Sequence, residues 1–498
     1  MARICLCLHG KTLAQNVEMV KKNQKFVDIA ELRVDCLDPE EWFFIRRFPE
    51  MVNVPVILSI RRELDGGFYS GGEGARITML AKGLAFAEAD QRRNFAYVDL
   101  EEDLDVPSLE EAARIFGTRI IRSWHNIEGV GEDLKNKMMQ LRRVGDEIVK
   151  VSVRPRSLDD LAKVYKAAKE TEEIKKIIYC KGEYGANTRI LAEFLGSLFS
   201  YTYPELSSTQ DAQEQLTPKE LVELYRFRKI TKKTRVFAVC GYPLKAEESL
   251  RFFNAVFDLE QNDAVFVPLP AESIDTLFSL AEEIGISGFS ITVPHKKDIL
   301  PYLIYRCPDV LSIGTCNTII AGPHGWMGFN TEAAGFSSSL LSFIGRKDLR
   351  GRKLTIVGAG GIAHAVAAEV HRLRGKALIL NRTVARARDL AELYRFAWAG
   401  LDSRGANMIE KYSNIIIQTS PVGMESNEDV LEFYKFSGRE TVMDLVYNPM
   451  KTRFLARAEK AGCRILNGYD MLRRQVQLQY THFIGDEFPP SLISRINF

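Results

Sequence analysis

Eight short runs rich in β-branched and aliphatic residues alternate with helix-length stretches between residue 3 and about residue 203: ICLCLH, VDIAELRVD, VPVILSIR, FAYVDLE, RIIRSWH, EIVKVSV, KKIIYCKG and LFSYTYP. Strands spaced in this way predict a closed (β/α)8 barrel. In a barrel, apolar layers fill the lower interior and functional side chains stand at the C-terminal ends of the strands. Glu31, Arg33, Arg61, Glu101, His125 and Lys150 each fall late in, or just after, an otherwise apolar run. The barrel mouth is therefore the first place to look for chemistry.

At 498 residues the chain exceeds what one core supports, so further domains are expected. Residues 206 to 218, LSSTQDAQEQLTP, break the apolar rhythm and read as a loop or lid. The helical pattern KELVELYRFRKI and the basic stretch KITKKTR follow, and the new apolar run VFAVCGYP puts a domain boundary near residue 233. Hydrophobic residues make up 46% and charged residues 27%, the balance of a soluble globular enzyme. A net charge of +2 gives no broad pull toward nucleic acid or an anionic membrane. No run reaches the ~20 apolar residues of a spanning helix, and the N-terminus has no signal-like segment, so the cytoplasm is the expected compartment. Eight scattered cysteines without a CxxC pair suit reduced thiols, and no metal site is expected. Cys5 and Cys7 are two apart in a strand and should share one face as small packed hydrophobes.

A lysine buried at a barrel mouth can lose its proton, because desolvation disfavours the ammonium, and can then attack a ketone to form a Schiff base. Lys150 is the candidate. The imine withdraws electrons, so His125, one strand earlier, can remove an adjacent proton and later protonate a departing hydroxyl. A solvated rim lysine and a structural histidine are the bland alternatives.

In the second half, KLTIV runs into GAGGIAHAVAAEVHRL, a strand, a glycine turn and a helix. Gly358, Gly360 and Ala363 fit the GxGxxA fingerprint, in which glycines let the backbone approach a pyrophosphate at a helix N-terminus. The next strand, ALIL, ends in Asn381-Arg382-Thr383, where an NAD enzyme would carry an acid for the ribose. Arg382, with Arg386 behind it, favours a 2′-phosphate instead, so the expected cofactor is NADP.

The runs ELRVD at 31 to 35, SIRRELDGG at 59 to 67, SWHN at 123 to 126, KVSV at 150 to 153 and CKGEYGANTRI at 180 to 190 resemble the type I 3-dehydroquinate dehydratases in order and spacing. The resemblance implies Lys150 as Schiff-base lysine and His125 as general acid/base. It also implies Glu31, Arg33, Arg61, Arg189 and the lid residue Gln215 as substrate contacts. Arginine suits a carboxylate because its planar fork makes two hydrogen bonds. Rim salt bridges are the alternative for Glu31 and Arg33.

SGFSITVPHKKD, IGTCNTI, GFNTEAAGF, TSPVGM, MDLVYNP and GYDMLRRQ resemble the shikimate dehydrogenases over nearly all of 235 to 485. This implies Lys296, with Glu332 in place of an aspartate partner, at the forming alkoxide. Ser249, Thr292, Asn317, Tyr447 and Gln475 would bind substrate. Gly358, Ala359, Gly360, Gly361, Ala363, Asn381, Arg382, Thr383, Arg386, Thr419 and Ser420 would bind NADP.

The expected organisation is a dehydratase-like barrel over 1–232, a substrate-binding α/β domain over 233–335 and a Rossmann NADP-binding domain over 336–470. A helical segment over 471–498 would return to the substrate domain. The expected function is a fused enzyme that dehydrates 3-dehydroquinate and reduces 3-dehydroshikimate, with small-molecule partners only and an oligomeric state that cannot be read. Two departures stand out. Asp211 replaces the usual serine of the lid, and Glu247 replaces the first of two carboxylate-binding serines, so Asp211 should point outward or the lid close differently, and Glu247 should turn away or pair with Lys245. They motivate an alternative, a sensor of quinate-like ligands; a Schiff-base aldolase fused to another dehydrogenase is a further reading.

Overall fold

The computed structural model describes residues 1–84, 93–143, 146–204, 216–244 and 246–492. The eight predicted runs are eight strands: β1 (Arg3–Leu8), β2 (Ile29–Arg33), β3 (Val56–Ser59), β4 (Tyr97–Glu101), β5 (Arg119–Asn126), β6 (Ile148–Val153), β7 (Lys176–Cys180) and β8 (Phe199–Thr202). They pair in parallel in the order β7-β6-β5-β4-β3-β2-β1-β8. A parallel bridge between Lys176 and Ser197 brings the two ends of the sheet together. The helices between the strands have ordinary causes. Helix Leu158–Lys169 starts at an N-cap Ser157 that accepts from Asp160 N, carries two aspartates in its first turn and ends in lysines, matching the helix dipole.

Cys5, Ile29, Ile57, Tyr97, Ile121, Ile148, Ile177 and Phe199 form one buried apolar cluster inside the barrel. Side chains alternate along a strand. Two positions further on, Cys7, Glu31, Ser59, Asp99, Ser123 and Lys150 therefore face inward, and two beyond those stand His9, Arg33, Arg61 and His125. Apolar filling below and charge above follow from that period of two.

After the barrel come a π-helical turn, Glu220–Leu224, and a 3-10 turn, Phe227–Lys229, where the pattern suggested one continuous helix. Arg226 between them adopts a left-handed conformation with φ 52°, which ends the first turn.

The chain separates into two compact units. One holds Met1–Val239 with Pro243–Ile286; the other holds Cys240–Tyr242 and the chain from Ser287. Beyond the barrel, the first unit contributes β9 (Arg235–Gly241) up to Val239 and β10 (Ala264–Pro270), with helices Glu247–Leu259 and Leu277–Ile284. In the second, β11 (Ile286–Ile291), β13 (Thr318–Gly322) and β14 (Gly325–Phe329) pair antiparallel in turn, and β12 (Leu303–Arg306) runs parallel to β14. The same unit carries an all-parallel sheet of β15 (Lys353–Val357), β16 (Lys376–Asn381), β17 (Ala397–Gly400), β18 (Ile415–Gln418), β19 (Thr441–Asp444) and β20 (Arg464–Leu466). Its order, β17-β16-β15-β18-β19-β20, reverses direction at β15, which is where doubly wound sheets bind nucleotides. Helix Tyr469–Ile484 packs on Thr331–Ile344. Among the described residues no helix is long and apolar enough to cross a membrane.

Candidate active sites

Lys150 is fully buried in β6, and its Nζ donates to Glu31 Oε1 at 3.0 Å and to Asp99 Oδ2 at 2.5 Å. Arg61 lies beside the same two carboxylates, 3.4 Å from Glu31 and 3.6 Å from Asp99. Two cations and two anions thus share one buried pocket, under the face of Tyr201, whose ring centre is 4.6 Å from Nζ. Burial alone would push the Lys150 ammonium down, but Asp99 and Glu31 outweigh it and hold the amine charged, above its ordinary range. This corrects the expectation of a lysine neutralised by desolvation. Burial likewise opposes ionisation of Glu31, yet Lys150, Arg61 and Arg33 together lower its pKa to about 2.

His125, on β5, is buried with neither ring nitrogen hydrogen-bonded. Burial, reinforced by Arg61, Lys150, Lys181 and Arg33, keeps its pKa well below 6.5. A neutral imidazole with free nitrogens beside a lysine is an available base.

Lys296, Glu332 and the glycine turn lie in the second unit. Lys296 follows β11, Glu332 opens helix Thr331–Ile344, and the two form a buried ion pair in which Glu332 Oε2 keeps no partner. The methylene stem of Lys296 passes Gly361, at the start of helix Gly361–Arg372; a Cβ there would lie 3.7 Å from Lys296 Cδ. The lysine therefore sits against the glycine turn. Gly358 has φ +120°, and a Cβ on it would meet Thr419 Oγ1 at 2.4 Å, so only glycine fits. A Cβ on Gly360 would meet nothing within 4 Å, which leaves room for a ligand. Gly358, Ala359, Gly360, Asn381, Arg382, Thr419 and Ser420 line one cavity of about 530 Å³. These residues fit a dinucleotide: a helix N-terminus for phosphate, and an exposed arginine with no acid at the end of β16.

The family model for type I 3-dehydroquinase matches residues 4–232, and that for the shikimate dehydrogenase substrate binding domain matches residues 239–319. A shikimate dehydrogenase (NADP(+)) from Moorella thermoacetica is 33% identical, over 53% of this chain and 92% of its own length. The chain belongs to the shikimate dehydrogenase family, with a type I 3-dehydroquinase domain ahead of it. A chloroplastic bifunctional 3-dehydroquinate dehydratase/shikimate dehydrogenase from Arabidopsis thaliana is 28% identical over 96% of this chain and 81% of its own. A solved shikimate dehydrogenase in complex with NADP+ is 31% identical, covers 54% of this chain and 98% of its own, and has a TM-score of 0.48.

Within the dehydratase domain, the expected substrate contacts differ in how free they are. Arg33 pairs with Asp35 through Nε and one Nη, at 2.9 and 2.6 Å. Arg189 is buried, with Nε on Tyr201 O at 3.0 Å and an Nη on Cys180 O at 2.7 Å. Asp211, Gln215 and Lys245 lie outside the described residues. Cys5 and Cys7 share the inward face as expected, but Cys7 is more than packing: its Sγ is 3.6 Å from Glu31 Oε2. Asp99 and Tyr201, which touch Lys150, were missed, although each lies two positions along its strand from a residue of the apolar cluster, Tyr97 and Phe199.

In the dehydrogenase half, Asn317 is held by Thr331, donating to its Oγ1 at 2.9 Å and accepting from its N at 2.8 Å. Thr292 N donates to Cys240 O, and Thr292 Cγ2 would be 2.3 Å from a Cβ on Gly241. Gln475 backs onto Gly335. Tyr447 is half-buried after β19, and Arg386 is exposed on helix Val384–Tyr394, outside the residues lining the cavity. Ser249 lies in the first turn of helix Glu247–Leu259 in the first unit, where Glu247 is exposed. Gln479 was missed: its Nε2 donates to Ser290 Oγ, Asn317 O and Thr318 Oγ1, tying the C-terminal helix to β11 and β13.

Proposed function

We propose that the chain dehydrates 3-dehydroquinate to 3-dehydroshikimate at Lys150 and reduces that product to shikimate at Lys296. The observation that carries the reading is a buried lysine hydrogen-bonded to two carboxylates in a barrel mouth, with an unpartnered neutral histidine on the adjacent strand. Asp99, at 2.5 Å, is placed to take the Lys150 proton as the amine adds to the substrate ketone. Loss of water gives an imine on Lys150. His125 removes a proton from the neighbouring carbon, the electrons move toward the imine nitrogen, and the same imidazole returns its proton to the departing hydroxyl. Hydrolysis frees the lysine and the product.

In the second half, Lys296 held by Glu332 presents an ammonium to the substrate carbonyl oxygen, stabilises its growing negative charge and donates a proton there. Gly358 to Gly361 with Thr419 and Ser420 would hold the dinucleotide, and Arg382 the 2′-phosphate. When bound, NADPH supplies the hydride. The domain limits 1–232, 233–335, 336–470 and 471–498 are part of the proposal. So is a cytoplasmic location, which eight free thiols suit.

Incubation with 3-dehydroquinate and NADPH, with products identified by mass, tests the reading: shikimate is expected. Accumulated 3-dehydroshikimate would overturn the reductase assignment, quinate would mean direct reduction, and an unchanged mixture would favour the sensor. Borohydride added with 3-dehydroquinate should fix an adduct on Lys150; an unmodified Lys150 peptide refutes the Schiff base. Catalytic efficiency equal with NADH and NADPH refutes the role of Arg382.

A further inference from the structure

His9 follows β1 at the level of Arg33, Arg61 and His125, four strands from β5 and so on the opposite side of the barrel. Its Nδ1 is buried without a hydrogen-bond partner, and its ring centre lies 5.9 Å from that of Tyr203, the residue after β8. The loop that carries it is fixed. Gly10 N donates to Asn16 Oδ1 at 2.8 Å, and Asn16 Nδ2 donates back to Gly10 O at 3.1 Å, with Asn16 wholly buried. A Cβ on Gly10 would stand 2.9 Å from Asn16 Oδ1, so the clamp needs glycine. A buried polar nitrogen without a partner costs about as much as a lost hydrogen bond. Here the surrounding backbone is pinned so that the nitrogen stays where it is.

The chemistry of the mouth says what it meets. Burial, with Arg33 adding to it against a Cys7 carbonyl contact, lowers the His9 pKa below 6.5, so the ring is neutral at pH 7. A neutral imidazole exchanges hydrogen bonds with a hydroxyl, whereas a carboxylate calls for an arginine. A six-membered ring joined to Lys150 through its ketone carbon turns one flank to His125. Its other flank, which in 3-dehydroquinate carries the vicinal hydroxyls, faces away from β5.

We propose that His9 is a substrate-contacting residue of the dehydratase, its Nδ1 hydrogen-bonding a ring hydroxyl of 3-dehydroquinate while the substrate is held on Lys150. The inference rests on the dehydratase reading and adds a specificity contact to it. Steady-state kinetics of His9→Ala and His9→Gln test it, with the reductase of the same chain as folding control. His9→Ala should raise the KM for 3-dehydroquinate about tenfold, the worth of one hydrogen bond. Its kcat should change less than twofold, and borohydride trapping on Lys150 at saturating substrate should be unchanged. His9→Gln, which keeps a neutral donor and acceptor, should recover most of the loss. An unchanged KM in His9→Ala, or a His9→Gln enzyme no better than His9→Ala, overturns the inference alone. An inactive wild-type barrel overturns the dehydratase reading and the inference with it.

Discussion

Replacing Lys150 by Met removes one of two cations from a pocket that holds two carboxylates. What remains is Glu31 and Asp99 sharing Arg61, at 3.4 and 3.6 Å, with one negative charge in excess. At an effective dielectric of about 20, unit charges about 4 Å apart interact by roughly 4 kcal/mol, and breaking a buried ion pair by deleting one partner costs about 3–5 kcal/mol. The single variant should lose about that much stability in the barrel. Adding Asp99→Asn removes the excess charge and leaves Glu31 paired with Arg61, so the double variant should regain roughly half of the loss and be more stable than its Lys150→Met parent. The pH dependence has a definite sign. In wild type, Glu31 has a folded pKa of about 2 against an ordinary 4.5, so its contribution is present above pH 4.5 and lost as pH falls toward 2. With Lys150 gone, one carboxylate is pushed above its ordinary value, so the single variant is least handicapped at low pH and most handicapped as pH rises to 7. Because the chain has more than one domain, stability is best read locally, by urea-dependent hydrogen exchange of peptides spanning 147–153. A double variant as unstable as the sum of the two single changes would refute the shared-charge account.

The depressed pKa of His125 keeps the imidazole neutral below pH 6.5, so the pH profile of dehydratase kcat/KM should show no acid limb at or above 6.5. A limb there would place a different base in the site. Lys296→Ala should lower reductase kcat by about 10²–10³, as loss of a group facing developing oxyanion charge does, and leave dehydration unchanged. Equal losses in both activities would point to a folding defect instead. Gly358→Ala puts a Cβ 2.4 Å from Thr419 Oγ1 at φ +120°, and should abolish NADPH binding measured by fluorescence while 3-dehydroquinate is still dehydrated; full cofactor affinity would refute the close-packed turn.

Local pattern carried the elements well. The run KLTIV became β15, and the eight barrel strands match the runs that suggested them, six lying inside and β1 and β5 each overrunning by one residue, at Arg3 and Asn126, because burial of one or both faces writes itself into a short stretch of sequence. Which polar residue at a strand end belongs to the site was only half legible. Asp99 and Glu101 occupy the same face of β4, and the sequence reading singled out Glu101. Glu101 instead answers Arg76 from a neighbouring helix at 2.5 Å, while Asp99 touches Lys150. Nothing within β4 distinguishes them; the distinction is made by side chains 25 and 51 residues away along the chain. The charge of Lys150 fails for the same reason. Desolvation is a property of one buried position and can be guessed from an apolar run, whereas the opposing attraction comes from Asp99 and Glu31, and Glu31 lies 119 residues earlier on β2. The sign of a pKa shift depends on the sum of both terms, so it becomes readable only when the barrel has closed and brought β2, β4 and β6 around one nitrogen.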